Sequence, residues 1–303
     1  MNYQQLNNKF SKAPQIIVIK GKNDIPYIEV KTRSAYALIS LYGGQLLSYK
    51  SNGCDDLLFL SEIANYAEGK AIKGGIPVCW PWFGADPENK GRQSHGFARN
   101  TMWELRSTEN IGDTQCKVIM GLKENNETLK LWPHTFDLEI EMLIGDSMDV
   151  LLRTSNTGEE SFEITQALHT YFSVGDIRKV SLQGLDKKSY LDKAKINTGE
   201  EQKCQSGDVE FTQEVDSIYQ NVPNDLKLLD LHKQREIKIS SIGNKTAVVW
   251  NPAAELSQQM SDIYDDDYKK FVCVETANAA DNVIEVKPGE SFTLSVSYKI
   301  SGL

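Results

Sequence analysis

The stretch Gly69–Asn100, GKAIKGGIPVCWPWFGADPENKGRQSHGFARN, carries the glycines and prolines of a loop together with a high density of aromatics and cations. Loops of that composition are where binding chemistry concentrates. Lys70, Lys73, Lys90, Arg92 and Arg99 against Asp86 and Glu88 leave a local +3 in a chain of net charge −9, which points to an anion site. Taken singly, each cation also fits a solvated face. Arg99 stands apart: it lies beside His95 in SHGFAR, and a planar guanidinium matches the oxygens of a phosphate. Lys73 places a point charge before Gly74–Gly75, where a backbone without Cβ can approach a ligand closely. Trp80, Trp82 and Phe83 suit the C–H face of a sugar, or equally a hydrophobic core.

Glu275 is a further candidate, for proton transfer. In FVCVET, two-residue alternation places Phe271, Cys273 and Glu275 on one strand face. A carboxylate among apolar neighbours is costly to bury ionised, so desolvation raises its pKa toward the range a general base needs, unless Glu275 is a structural ion pair. His169, in ALHTYF, lies at the end of the strand-like run Phe162–Thr170, where an isolated histidine is more often a satisfied interior residue than a catalyst, so position alone gives it no role. His134 and His232 carry no comparable context. The acidic run Asp262, Asp265, Asp266 and Asp267 lacks the glycine and terminal glutamate of a calcium loop and reads as a solvated helix end or loop. Five scattered cysteines, without C-x-x-C pairs, read as free thiols.

The elements that must position these groups are strands. Runs rich in β-branched and aromatic residues recur at Gln15–Lys20, Ile28–Lys31, Tyr36–Ser40, Leu46–Lys50, Lys117–Leu122, Phe136–Ile144, Asp149–Asn156 and Phe162–Thr170. They continue at Lys179–Gln183, Ile237–Ser240, Ala247–Trp250, Phe271–Glu275 and Phe292–Ile300, mostly bounded by turn residues. Helical periodicity is confined to Asn2–Phe10 and Ala253–Lys270, too little for parallel-strand crossovers. The expectation is therefore all-β, a large antiparallel sandwich with a few short helices. With no repeat, linker or composition break, residues 1–303 read as one domain. The net charge of −9 argues against nucleic acid and anionic membranes. A polar N-terminus and the absence of any apolar run near ~20 residues make a cytoplasmic protein without membrane association the expectation.

Five segments, in order, carry a resemblance: GGIPVCWPWFG, SHGFARN, ALHTYFSV, VVWNP and FVCVETAN. They resemble the glucose-6-phosphate 1-epimerases of the aldose 1-epimerase superfamily, over roughly Ile16 to Lys299. The resemblance implies a galactose mutarotase-like β-supersandwich with a cleft on a concave face, a small hexose phosphate as partner, and no metal or organic cofactor. It places the catalytic histidine on His169 and the catalytic glutamate on Glu275. Substrate contacts fall on Lys73, Ser94, His95, Arg99 and Asp216, and Arg92 is a further cation for the phosphate. Lys73 stands where the family commonly has arginine, Ser94 where it often has glutamine, and Ser217 where arginine often follows the aspartate. The implied chemistry opens and recloses the sugar ring: Glu275 takes the C1 hydroxyl proton while an imidazolium at His169 protonates the ring oxygen from the opposite side. A monomer is expected.

Three other readings stay open on the sequence. An epimerase of free hexoses needs the same pair without the cations. A noncatalytic sugar-binding protein is compatible with the same fold. A glycoside hydrolase needs two flanking carboxylates, and only one is apparent. A nucleotide-dependent enzyme is disfavoured by the absence of a P-loop or G-x-G-x-x-G.

Overall fold

The computed structural model of the chain describes residues 1–11, 14–194 and 202–303. Alternating burial generates its two large sheets. The strand Phe136–Ile144 is buried at every second residue, and so is Met148–Asn156 paired with it. These two strands sit within a nine-stranded sheet that also holds Ser291–Gly302, Arg235–Ile242 and Asp225–Asp230. An eight-stranded sheet is built around Phe271–Asn278, which is flanked by Thr246–Asn251 on one side and by Gln166–Leu168 and Tyr171–Ser173 on the other. A four-stranded sheet from the N-terminal part of the chain, Ile16–Lys20 through Gln45–Ser51, and a two-stranded pair complete the described architecture. Every pairing between these strands is antiparallel.

The two large sheets share one core. Val272, Val274, Val249 and Leu168 from one pack into the same cluster as Ile140, Leu152, Ile237 and Tyr298 from the other. The hydroxyls of Thr170 and Tyr298 meet across the layer at 2.6 Å, and Trp80 Nε1 donates to Thr154 Oγ1 at 3.0 Å. Apolar burial on this scale is the main stabilising contribution, at roughly 25 cal/mol per Å² of apolar surface removed from water. The opposite face of the eight-stranded sheet is left to a second set of side chains, among them Cys273, Glu275, Val248 and Ile218, and there the functional residues gather.

Two helical expectations meet different outcomes. Asn2 caps the helix Tyr3–Phe10 through a reciprocal capping box with Gln5, and Leu6 and Phe10 are its buried residues. Ala253–Lys270, where a short helix was expected, holds the helix Ala253–Ser257 and the 3-10 turn Asp267–Lys270, and between them the Ser257 and Asp267 side chains bond backbone groups. A helix at Asn126–Leu131, capped by Asn125, had no counterpart in the sequence reading.

Gly74, Gly75 and Gly96 of the Gly69–Asn100 loop serve close chain packing. A Cβ on Gly75 would sit 2.2 Å from the carbonyl oxygen of Leu46, and one on Gly96 only 1.9 Å from that of Trp80. Gly96 also adopts φ +70°. An L-residue in that left-handed conformation loses about 1–2 kcal/mol before any steric overlap. Gly96→Ala is therefore expected to destabilise the protein by more than about 2 kcal/mol, a loss of several degrees in Tm. Thermal unfolding followed by circular dichroism checks it; an unchanged midpoint would show that the Trp80 segment can move aside.

Candidate active site

Strand register brings the proton-transfer candidates together. Leu168 pairs with Thr276 and Tyr171 with Cys273, so the same register sets His169 opposite Glu275. Directly opposed residues on neighbouring strands lie on one face with their side chains in reach. The result is His169 Nε2 at 3.2 Å from Glu275 Oε1, both side chains buried. The run Phe162–Thr170 is not one continuous strand: it divides into Phe162–Ile164 and Gln166–Leu168, and His169 lies in the gap before Tyr171–Ser173. The backbone N–H of His169 donates to the Pro77 carbonyl at 3.0 Å, and that of Tyr171 to the Gly75 carbonyl at 2.9 Å. The GGIP segment thus anchors the histidine from behind.

The ring of His169 is held by aromatics. Tyr171 stacks on it nearly parallel, centroids 4.8 Å apart, and Trp250 meets it edge-on at 6.4 Å. Its Nδ1 is buried against its own backbone, which leaves Nε2 as the atom facing Glu275. Burial pushes the imidazole well below its usual pKa, and His95, Arg99 and Lys73 push it the same way. Burial pushes Glu275 well above the usual carboxylate range, helped by Asp216 and opposed by Arg99. Both directions favour the uncharged forms, and for His169 the direction runs against the imidazolium expected there. The pair also stands on one side of the cleft and not on opposite sides of a ring.

The cleft has a volume of about 900 Å³, within the roughly 300–1,000 Å³ typical of small-molecule sites. All seven residues singled out from sequence, Lys73, Ser94, His95, Arg99, His169, Asp216 and Glu275, line it. His95 has φ +64°, and its Nδ1 accepts from the N–H of Gly84 at 3.3 Å. That bond fixes the tautomer with Nε2–H as donor, and burial, then Arg99 and Lys73, lower the pKa to about 3, keeping the ring neutral. Arg99 donates through Nη2 to the Ser94 carbonyl at 3.0 Å, which ties guanidinium to rim. Asp216 lies opposite Trp250 in the strand Val215–Gln220. Burial, with Glu214 and Asp192 adding and Lys193 opposing, raises its carboxyl to about 6.

Other sequence expectations fall away. Trp80 is fully buried and Trp82 nearly so, both inside the main core, so of the three aromatics only Phe83 reaches the cleft. Arg92 is not among the lining residues. Its guanidinium is locked against Asp86 and Glu88, donates to the Leu131 carbonyl at 2.7 Å and lies 4.4 Å over the Trp82 ring. The +3 of the loop is therefore not a patch. Among the described residues the cleft's cations are Lys73, Arg99 and Lys193, and they face Asp192, Asp216 and Glu275. Tyr171, Trp250 and Lys193 were missed as cleft residues. Tyr171 was legible, since it lies two positions from His169 in a β run, but Lys193 carries no local signal.

The two-layer antiparallel sandwich, with its cleft on one face of the eight-stranded sheet, has the galactose mutarotase-like fold. The fold agrees with the crystal structure of a galactose mutarotase related enzyme from Lactobacillus acidophilus, with TM-score 0.71 over 91% of this chain and 97% of that one at 16% identity. More specifically, residues 26–299 match the aldose 1-epimerase family, and the chain belongs to it. An Escherichia coli (strain K12) protein named "Putative glucose-6-phosphate 1-epimerase" is 39% identical over 269 residues, covering 88% of each chain. The crystal structure of a "putative mutarotase (YeaD)" from Salmonella typhimurium superposes with TM-score 0.89 at 32% identity, covering 97% of this chain and 96% of that one. No helix among the described residues is long and apolar enough to cross a membrane.

Proposed function

We propose that the protein interconverts the α and β anomers of a hexose 6-phosphate, glucose 6-phosphate foremost, through acid–base opening and closing of the ring. The observation that carries this reading is the meeting of the His169–Glu275 pair with Arg99 and Lys73 in one cleft. The pair serves the reacting end of the sugar and the cations hold the phosphate. The E. coli relative's name points the same way.

O1 and O5 are bonded to the same carbon, so two adjacent protein groups on one side can serve both. O1–H donates to Glu275, and O5 accepts from His169 Nε2. Each hydrogen bond favours the charged form of its protein partner, drawing a proton from carboxyl to imidazole. Glu275 then removes the O1 proton as the C1–O1 double bond forms, the C1–O5 bond breaks, and His169 delivers its proton to O5. Rotation about C1–C2 presents the other face of the aldehyde. Attack by O5–H returns one proton to His169, while Glu275 returns the other to O1, and the pair regains its starting state. His95 donates to a sugar oxygen, Asp216 accepts from a hydroxyl, Ser94 contributes at the rim, and Trp250 and Tyr171 offer ring faces. Their contribution is orientation.

Freshly dissolved α-glucose 6-phosphate and α-glucose, each followed by NMR with and without catalytic protein, test the proposal. The expected result is faster relaxation of the phosphate ester, with little effect on the free sugar. Equal acceleration of both would favour an epimerase of free hexoses, and acceleration of neither would remove the catalytic reading.

A further inference from the structure

The acidic run near the C-terminal third of the chain does not stay wholly in solvent. Asp266 pairs with Lys269 and Asp267 with Lys270, both local contacts. Asp262 instead lies 3.5 Å, Oδ2 to Nζ, from Lys73, whose side chain is only 16% exposed. The loop that presents Asp262 is held in place. Its neighbour Ile263 is buried with Phe59, Tyr171, Phe271 and Cys273. Ser257 Oγ donates to the carbonyls of Tyr264 and Asp265 at 3.4 and 2.9 Å, and the Tyr264 N–H donates to Asp267 at 2.9 Å. Trp250 lies on another side of the ammonium, its ring centroid 5.5 Å away. Lys73 lines the cleft and Asp262 does not, so the carboxylate stands behind the lysine.

We infer that Asp262 is a positioning residue of the anion site, a fixed counter-charge behind Lys73 that keeps its ammonium protonated for the phosphate. The inference rests on the phosphate reading above. The groups acting on Lys73 are burial and Arg99, which oppose its charge, and Asp262 and Cys273, which favour it. His95 and His169 also feel its field. Burial is the largest of these and holds the lysine below its usual pKa, while Asp262 is the largest opposing influence. Removing the carboxylate therefore moves loss of the Lys73 charge to lower pH. Arginine at position 73 would need no such support, because a guanidinium stays charged throughout the accessible range.

The test uses 1,5-anhydroglucitol 6-phosphate, which lacks the C1 hydroxyl and reports binding without turnover. Its affinity is measured by calorimetry at pH 7.5 and 9.5, where the phosphate is a dianion in both cases. An opposite charge within about 4–6 Å moves a pKa by about 1–3 units, and the part-exposed Asp262 belongs at the low end of that range. Asp262→Asn is accordingly expected to enlarge the ratio of affinities between the two pH values about tenfold over the parent, with less than about a threefold change at pH 7.5. The double variant K73R/D262N is expected to remove that added pH dependence. Equal weakening by D262N at both pH values, tighter binding at both, or a K73R/D262N protein as pH-dependent as D262N would overturn the inference. Failure of the underlying phosphate reading looks different: the parent protein would then bind unphosphorylated 1,5-anhydroglucitol as tightly as the 6-phosphate.

Discussion

Replacing Glu275 with glutamine is expected to lower kcat for anomer exchange of glucose 6-phosphate by about 10²–10⁴-fold, the usual contribution of a positioned acid–base group. Glutamine keeps the shape of a side chain buried between two paired strands, so the fold and the cations around the cleft are retained. It cannot take a proton from O1 or pass one to Nε2 of His169. Affinity for 1,5-anhydroglucitol 6-phosphate, by contrast, should move by less than about threefold, since the analogue lacks the C1 hydroxyl that Glu275 serves. Exchange is read by NMR after subtracting the spontaneous interconversion that any reducing sugar undergoes. A variant retaining more than a tenth of parental kcat would remove Glu275 from the chemistry.

The second large effect is expected at Arg99, where Gln should raise KM for glucose 6-phosphate by about 10–100-fold. This follows from losing one charge-assisted contact, at about 1.5–3 kcal/mol. With free glucose no such loss is expected at that substrate's own optimum pH. The optimum itself should move, and the sign can be worked out. Arg99 holds both His169 and Glu275 lower than burial alone would leave them. Removing the guanidinium raises both, so each limb of the pH profile shifts toward alkaline pH. Paired profiles of kcat/KM for ester and free sugar measure both consequences. If R99Q impairs ester and free sugar equally, Arg99 supports the scaffold and not the phosphate.

Lys73 shows how a lysine can serve at a position where the resemblance implies arginine. Arginine at this position needs no partner to remain charged, whereas a buried lysine does. Asp262 supplies one across the chain, held by the packing of Ile263. Residues that read as surface decoration in sequence can in this way act on a site whose recognisable motifs lie elsewhere.

Most of the strands, and the face on which Glu275 stands, could be read from sequence because strand alternation is a local property. Side chains two apart share a face whatever the strand packs against. Phe136–Ile144 was legible to the residue. Strands such as Glu104–Ile111 and Asp225–Asp230 escaped because their sequences, ELRSTENI and DLKLLD, hold few β-branched or aromatic residues. The gathering of Lys73, His95 and Arg99 within one loop was also legible, and the resemblance added Ser94, His169 and Asp216. Tertiary structure decided which charges remain available and which groups touch. Arg92 and Arg99 are alike as sequence, yet Asp86, Glu88 and Trp82 take up one guanidinium while the other lines the cleft. His169 and Glu275 meet because one antiparallel register aligns their strands, and Asp262 reaches Lys73 because a buried isoleucine fixes its loop. The physical reason is the range of the forces involved. Periodicity and turn chemistry act between neighbours in the chain, whereas the partner of a charge and the desolvation of an acid depend on segments that only folding brings together.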